Sequence, residues 1–412
     1  MTNETKAFDI ILYGATSFVG QIMTEYLATH YSLSSREDDS REQVKWAIAA
    51  RSDSKLLALK ARLNIQDVTH FVVSADDESA LTDMANETQV VVSTVGPYAL
   101  YGETLVKVCV ETATDYCDLT GEPQWIKLML EKYEEQAKKS GARIIHCSGF
   151  DSIPSDLGVY ACQQHAMAIS NKPANHIKMR VRKIKGGASG GTIASMLNVL
   201  KEAKNDPDLR KALVNPYVLC PSSAGFKVRQ KNHKSAEFDS QLGIWSMPFI
   251  MAAINERIVH RSNALLDNQY GTSFRYDEAM TAKTGFQAWT FTMGLGSFMI
   301  AASFDPLQKL LANTVLPKPG EGPSLKEQKE GMFDMRFYAT TENGRNIITQ
   351  VTGDRDPGYG STAKMLAQAA ICLAKDIPNL AGGFWTPASA LNTHLIKRLQ
   401  DHAGVVIQQI GD

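Results

Sequence analysis

The feature that most constrains this chain is FDIILYGATSFVG, residues 8–20. An apolar strand at Phe8–Tyr13 runs directly into a glycine turn, and a helix opens behind it at Phe18. Gly14 allows the tight turn, and Gly20 lets the helix lie close on a sheet. The first turn of a helix leaves N–H groups without partners, and its dipole adds partial positive charge there. Such a turn is built to hold a diphosphate. A glycine pattern alone is weak, but its position between strand and helix makes it specific. The loop reads G-x-x-S-x-x-G, with Ser17 where a third glycine is common. A serine still offers its N–H, and its hydroxyl can meet a phosphate oxygen or cap the helix. Gly14, Thr16, Ser17, Phe18 and Val19 are therefore the candidate diphosphate contacts.

Strand and helix signals alternate beyond this loop. Strands are predicted at Val44–Ala50, Phe71–Val73, Gln89–Thr94, Asp115–Leu119 and Arg143–Cys147. Helices are predicted at Phe18–His30, Lys55–Leu63, Asp77–Asn86, Glu103–Thr112 and Pro123–Ser140. That rhythm implies an α/β fold, a doubly wound parallel sheet with helices on both faces. After Gly149 the rhythm changes, which predicts a second, α+β domain. It brings a helix from Pro154, a strand at His176–Ile184, and a glycine run (186–191) that opens another helix. An exposed loop is predicted at 317–331, strands at Met332–Thr340 and Arg345–Thr352, and a helix at Ser361–Ala374. The expected plan is 1–155 for the nucleotide domain and 156–352 for the α+β domain. Residues 353–412 are expected to be helical and to return to the first domain.

The second strand ends in WAIAARS, residues 46–52. An acidic residue here would hold the ribose 2′-hydroxyl of NAD. Instead the strand ends on Arg51 and Ser52, 37 residues beyond Gly14 (51 − 14), because a polar insert, Ser32–Gln43, precedes it. A planar guanidinium matches a 2′-phosphate. The expected cofactor is NADP(H).

Strand four ends in STVGPY, residues 93–98. Ligands of such sheets lie at the carboxyl ends of the strands. Gly96-Pro97 could lay backbone along the cofactor, with Tyr98 beside the nicotinamide. Asp118 and Asp151 end strands five and six at the same expected edge. A carboxylic acid or tyrosine there could deliver the proton that accompanies hydride transfer. Alternatively, both aspartates cap helices or order loops, and water is the acid.

Composition narrows the remaining choices. The net charge of −1 provides no broad basic surface, so nucleic acid is a poor partner. Six cysteines are scattered without a C-x-x-C pair, giving no disulfide framework and no metal site. The N-terminus lacks the basic start and apolar run of a signal peptide, and the cytoplasm is the expected location. No segment reaches the roughly 18 to 20 apolar residues of a spanning helix. Two runs come part of the way, Leu242–Ile254 and Phe291–Phe304. Core packing is their plainest explanation, with a pocket wall or a membrane-surface segment as alternatives.

The motifs taken together resemble the saccharopine dehydrogenase-like oxidoreductases, in particular the trans-acting enoyl reductase branch. They are GATSFVG (14–20), AARS (49–52), STVGPYALYG (93–102), DYCDLTGE (115–122), GFDSIPSDLG (149–158), SGGTIAS (189–195) and GDRDPGYG (353–360). The resemblance spans almost the whole chain. It implies a Rossmann-type domain joined to an α+β domain, and NADPH-dependent reduction. The cofactor residues it carries over are Gly14, Thr16, Ser17, Phe18, Val19 and Arg51, then Gly96 and Pro97, with Asp76 near the adenine. The branch implies an acyl or lipid-like enoyl substrate. The imine chemistry of saccharopine formation is the alternative, and would favour arginines converging on a site; Arg180 and Arg182 alternate with apolar residues as on a half-exposed strand. A third reading is a lipid-surface or scaffold protein that keeps NADP as a structural ligand. Homodimerisation and membrane-surface contact are compatible with these expectations.

Overall fold

The computed structural model describes residues 6–31, 42–186, 190–302, 304 and 322–411. Most of the polar insert 32–43, the centre of the glycine run, Ser303 and the first part of the loop expected at 317–331 lie outside the described residues. The chain divides into two compact units. The first contains Met1–Thr120, Trp125–Phe150 and Tyr359–Ala403; the second contains Gly121–Gln124, Asp151–Gly358 and Gly404–Asp412.

Strands are numbered along the chain. In the first unit these are β1 (Phe8–Tyr13), β2 (Trp46–Ala50), β3 (His70–Val72), β4 (Thr88–Ser93), β5 (Asp115–Asp118), β6 (Arg143–Ile145) and β13 (Gly383–Trp385). They form one sheet in the order β13-β6-β5-β4-β1-β2-β3, with every pairing parallel. Strands β1, β2 and β4 are apolar and buried on both faces, as a doubly covered parallel sheet requires. Three crossover helices follow their strands and start on side-chain caps. They are α1 (Phe18–His30) on Ser17, α2 (Asp53–Leu63) on Ser52 and α3 (Glu78–Asn86) on Asp77. Each cap satisfies a backbone N–H that the helix start leaves unpaired.

A helix at Thr362–Lys375 packs against α1, β1, β4 and β5, and most of its residues are buried. Its Gln368 donates to the hydroxyls of Tyr26 and Tyr31, each at 2.8 Å. Arg398 then ties the segment down by pairing with both Glu42 and Asp376. The short strand β13 carried no sequence signal, having only three residues and a glycine at its start.

In the second unit, β7 (His176–Lys185), β8 (Glu237–Asp239), β9 (Ile244–Met247), β10 (Arg275–Ala282), β11 (Met332–Thr340), β12 (Asn346–Gly353) and β14 (Val405–Gly411) form a mixed sheet. Its order is β14-β12-β11-β7-β10-β9-β8, and only β7 and β10 pair parallel. Two helices, Ile153–Ser170 and Ala252–Leu265, pack on each other and on this sheet. Residues 405–411 are therefore a strand rather than part of a helical tail; VVIQQI carries the β-branched signal of one, which the sequence reading passed over.

Several other expectations change here. The run Leu242–Ile254 is not one element: β9 takes its start, a turn follows, and a helix begins at Ala252. Pro248 breaks any longer helix. The run Phe291–Phe304 is not core packing. It falls in a helix at Gly285–Ala302 in which only Ala288 and Ala302 are buried. The expected loop holds a capped helix at Leu325–Glu330. Arg180 is wholly buried rather than half-exposed.

The helix at Ile153–Ser170 reaches β11 because Gly158 has no side chain. A Cβ there would lie 2.2 Å from Cζ of Phe337. Gly158→Ala is expected to destabilise by about 1–3 kcal/mol through overpacking. Adding Phe337→Leu should recover part of the loss. Chemical denaturation measures both, and an unchanged midpoint for Gly158→Ala would contradict the packing argument.

Candidate functional site

In the first unit the chain reverses its winding at β1, which lies between β4 and β2. Open α/β sheets bind ligands at such a switch point. Gly14 sits there with φ +91, and a Cβ would stand 2.6 Å from Oγ1 of Thr94 and 2.7 Å from Val95 Cγ2. A Cβ on Gly20 would lie 2.2 Å from the Gly14 carbonyl oxygen. Both positions therefore demand glycine. The Gly20 N–H donates to Oγ of Ser17 at 2.9 Å. Ser17 and Thr94 hydroxyls are 3.0 Å apart, and Thr94 donates to the Gly14 carbonyl at 3.0 Å. Thr94 spends its proton on that carbonyl, so Ser17 must donate to Thr94. The Ser17 hydroxyl is thus a cap and a strut, with its proton already committed.

Among the described residues, the N–H groups of Thr16, Phe18 and Val19 have no hydrogen-bond acceptor. They stand at the positive end of α1. The Phe18 ring meets Tyr359 edge-on, with centroids 4.7 Å apart.

Arg51 stands exposed just after β2, and its guanidinium has no hydrogen bond or ion pair among the described residues. Ser52 is the α2 cap. Burial, with the Asp76 carboxylate adding and Arg51 opposing, pushes the Tyr13 hydroxyl up to about 12. Arg51 and Asp76 therefore lie within electrostatic reach of one tyrosine, on opposite sides of the charge balance. The Asp76 carboxyl is held low by the Ser74 hydroxyl that bonds it.

The Gly96-Pro97 peptide is cis. Tyr98 is buried: its hydroxyl donates to the Ser93 carbonyl at 2.9 Å and accepts from the Leu119 N–H at 3.1 Å. It thereby joins the ends of β4 and β5. Asp118 is also fully buried. One oxygen accepts from the N–H groups of Thr120 and Cys147, and the other meets Nδ1 of His146 at 2.7 Å. Trp125, Tyr116 and Phe384 surround that imidazole. The Asp118–His146 pair thus organises the loops after β5 and β6. Asp151 belongs to the second unit and is partly exposed at the start of the helix Ile153–Ser170.

The second unit buries an unusual number of charges. Arg180 pairs with Asp277 at 2.8 Å, and Asp277 also meets His233 at 2.6 Å and His176 at 2.7 Å. Burial opposes ionisation of Asp277, but the two imidazoles and the guanidinium outweigh it and hold the carboxyl low. Glu278 accepts from Tyr276 at 2.6 Å and from Asn255 at 2.9 Å, and Ser152 donates to Asn255 at 3.0 Å. Among the described residues no cation pairs with Glu278, and burial pushes it up to about 7. Glu256 is raised well above the carboxylate range by burial and then by the charge of Glu278.

This fold and this cradle define an NADP-binding oxidoreductase. The family described as the saccharopine dehydrogenase NADP binding domain matches residues 10–145. A Mycobacterium tuberculosis protein provisionally named trans-acting enoyl reductase is 40% identical over 99% of both chains. A Mycobacterium leprae protein named trans-acting enoyl reductase is 35% identical, again over 99% of each. Among solved structures, saccharopine dehydrogenase (L-Glu forming) from Saccharomyces cerevisiae aligns over 98% of this chain and 100% of its own. Its TM-score is 0.56 at 13% identity, a likeness of fold. The chain belongs to the saccharopine dehydrogenase-like oxidoreductases, in the trans-acting enoyl reductase branch.

Two residues of the first unit escaped the sequence reading. Thr94 looked like a strand end, and only its bonds show that it closes the glycine loop. His146 had a usable signal. In the β5–β6 register Cys117 pairs with Ile145, so Asp118 and His146 follow side by side at two strand ends.

The buried acids of the second unit give stability a pH dependence. Unfolded, Glu278 would ionise near 4.5; folded, it holds its proton to about 7. Between those values the unfolded state binds fewer protons, so stability falls as pH rises. Glu278→Gln, which keeps the shape, is expected to remove about 2–3 kcal/mol of that fall. Denaturation at pH 5 and pH 7.5 measures it, and equal slopes for variant and parent would refute the assignment.

Proposed function

We propose that this protein uses NADPH to reduce a carbon–carbon double bond in an acyl, lipid-type enoyl intermediate. The observation that carries the reading is end-to-end alignment with relatives named for enoyl reduction, over a cradle whose amides are free. In this reading the amides of Thr16, Phe18 and Val19 hold the diphosphate, and Gly14 and Gly20 keep the loop clear of side chains. Arg51 takes the 2′-phosphate, with Ser52 beside it and Asp76 toward the adenine. Gly96 and Pro97 lay backbone along the nicotinamide half. When bound, the cofactor supplies the hydride. The protein supplies position, and position is most of the catalysis in such a site.

Tyr98 and Asp118 act as positioning residues here, because both are buried and spent on backbone and imidazole groups. Asp151, the third expected proton donor, is a partly exposed carboxyl of the second unit. Imine reduction is the weaker reading for a stated reason: a buried Arg180 neutralised by Asp277 cannot grip a substrate carboxylate. The apolar helix Gly285–Ala302 supports contact with lipid. No helix among the described residues is long and apolar enough to cross a membrane, so that contact is at the surface.

The direct test is NADPH oxidation against enoyl thioesters of graded chain length; inactivity on all of them defeats the reading. Arg51→Ala should lower the preference for NADPH over NADH by about 10- to 100-fold, the worth of a charge-assisted pair. An unchanged ratio would remove Arg51 from the site. Thr94→Val should weaken NADPH binding about tenfold by loosening the loop, measured by fluorescence titration. A dissociation constant equal to that of the parent would show the loop holds without Thr94.

A further inference from the structure

The helix Gly285–Ala302 has no charged residue along its 18 positions. A surface helix normally turns its polar stripe to water. Here Phe286, Trp289, Met293 and Ile300 fall on one stripe at helical spacing and are the most exposed of its large apolar side chains; Phe291, on another face, is 39% exposed. Phe286 is 83% exposed, Met293 69% and Ile300 64%. The opposite stripe anchors the helix: Ala288 packs into a cluster with Ala236 and Met247, and Trp245 lies flat where Gly285 has no side chain. Farther along, Leu295 and Met299 roof a small cavity of about 200 Å³. The outward apolar stripe therefore has no work inside the unit.

At the base of this helix a groove of about 690 Å³ opens. Arg182, Lys183, Lys283 and Arg336 line it, together with Trp245 and Phe238. Arg336 is paired with the groove's carboxylate, Asp334, at 3.2 Å. The side chains of Arg182, Lys183 and Lys283 have no ion pair or hydrogen bond among the described residues. Three unneutralised cations thus adjoin an apolar stripe that faces water. Isologous pairing of two copies through this face would set like charges against each other.

We infer that the groove and the helix together form a docking face for an anionic bilayer, the groove taking lipid phosphates while the apolar stripe enters the acyl boundary. This rests on the reading of Gly285–Ala302 as a lipid-facing helix and adds headgroup selectivity to it. Apolar burial and attraction to anionic lipid act together in such helices. The indoles of Trp245 and Trp289 suit the boundary between the two.

Flotation of the full chain with vesicles tests it, using phosphatidylcholine alone or mixed with phosphatidylglycerol. Binding should be strong only to the mixed vesicles and should weaken with added salt. Reversing Arg182, Lys183 and Lys283 to Glu should cost about 100-fold on mixed vesicles, from the attraction each cation loses near the surface. Phe286→Asp with Met293→Asp should abolish binding to either vesicle. Circular dichroism and a thermal unfolding curve like the parent's confirm that each variant remains folded. Equal affinity for both vesicles, or undiminished binding by the Glu variant, overturns the groove and leaves the helix reading intact. Binding to neither vesicle overturns both, as does a salt-sensitive dimer formed through this face in their place.

Discussion

The first unit depends on a directed chain of hydrogen bonds that closes the glycine loop on itself. The Gly20 amide donates to Ser17, Ser17 to Thr94, and Thr94 to the Gly14 carbonyl. Each hydroxyl both gives and takes, so the chain has one direction and no spare proton. Its effect is to pin the helix start against the end of β4 while the amides of Thr16, Phe18 and Val19 point elsewhere. The two glycines belong to the same constraint: a Cβ at either would collide with an atom of this chain or its backbone. An anion site of this kind is strong because it is made of fixed dipoles that need no reorganisation when charge arrives.

The second unit shows the opposite economy of charge. Inside it, Arg180, Asp277, His233 and His176 satisfy one another at short range, and removing any one would strand a buried partner. Burial instead raises Glu256 and Glu278, so both ionise less readily than free carboxyls. On its surface, by contrast, Arg182, Lys183 and Lys283 go unneutralised beside an apolar helix. The bareness of that patch is a property of the surface that the packing of the unit does not explain.

Much of the first unit was legible because parallel strands buried on both faces must be continuous apolar runs. Tight turns at their ends must likewise be glycine. The start of α1 follows from Ser17, its cap. What the sequence concealed was whatever depends on neighbours distant along the chain. Asp118 has the residue type of an acid catalyst, yet its oxygens are committed to His146 and two amides. Tyr98 has the right place for a proton donor, yet its hydroxyl bridges two strand ends. Strand β13 is only three residues long, and its pairing with β6, not its composition, makes it a strand.

Strand β7 shows why such reading stops where it does. Arg180 and Arg182 share a residue type, a strand and a two-residue spacing, so periodicity puts them on one face. Their fates nonetheless diverge. Position 180 lies beside Ala279 in the β10 register, one residue from Glu278 and two from Asp277 in the pairing, where Asp277 on β10 and Asp239 on β8 close over it. Position 182 lies past the end of that pairing, near the register shift with β11 at Asp334/Met335, and stays open. One arginine became structure and the other became surface because the β7–β10 pairing stops at Val181 and Met280. Of the two arginines, 182 is therefore the one a ligand could use, since a guanidinium already neutralised has no charge left to offer.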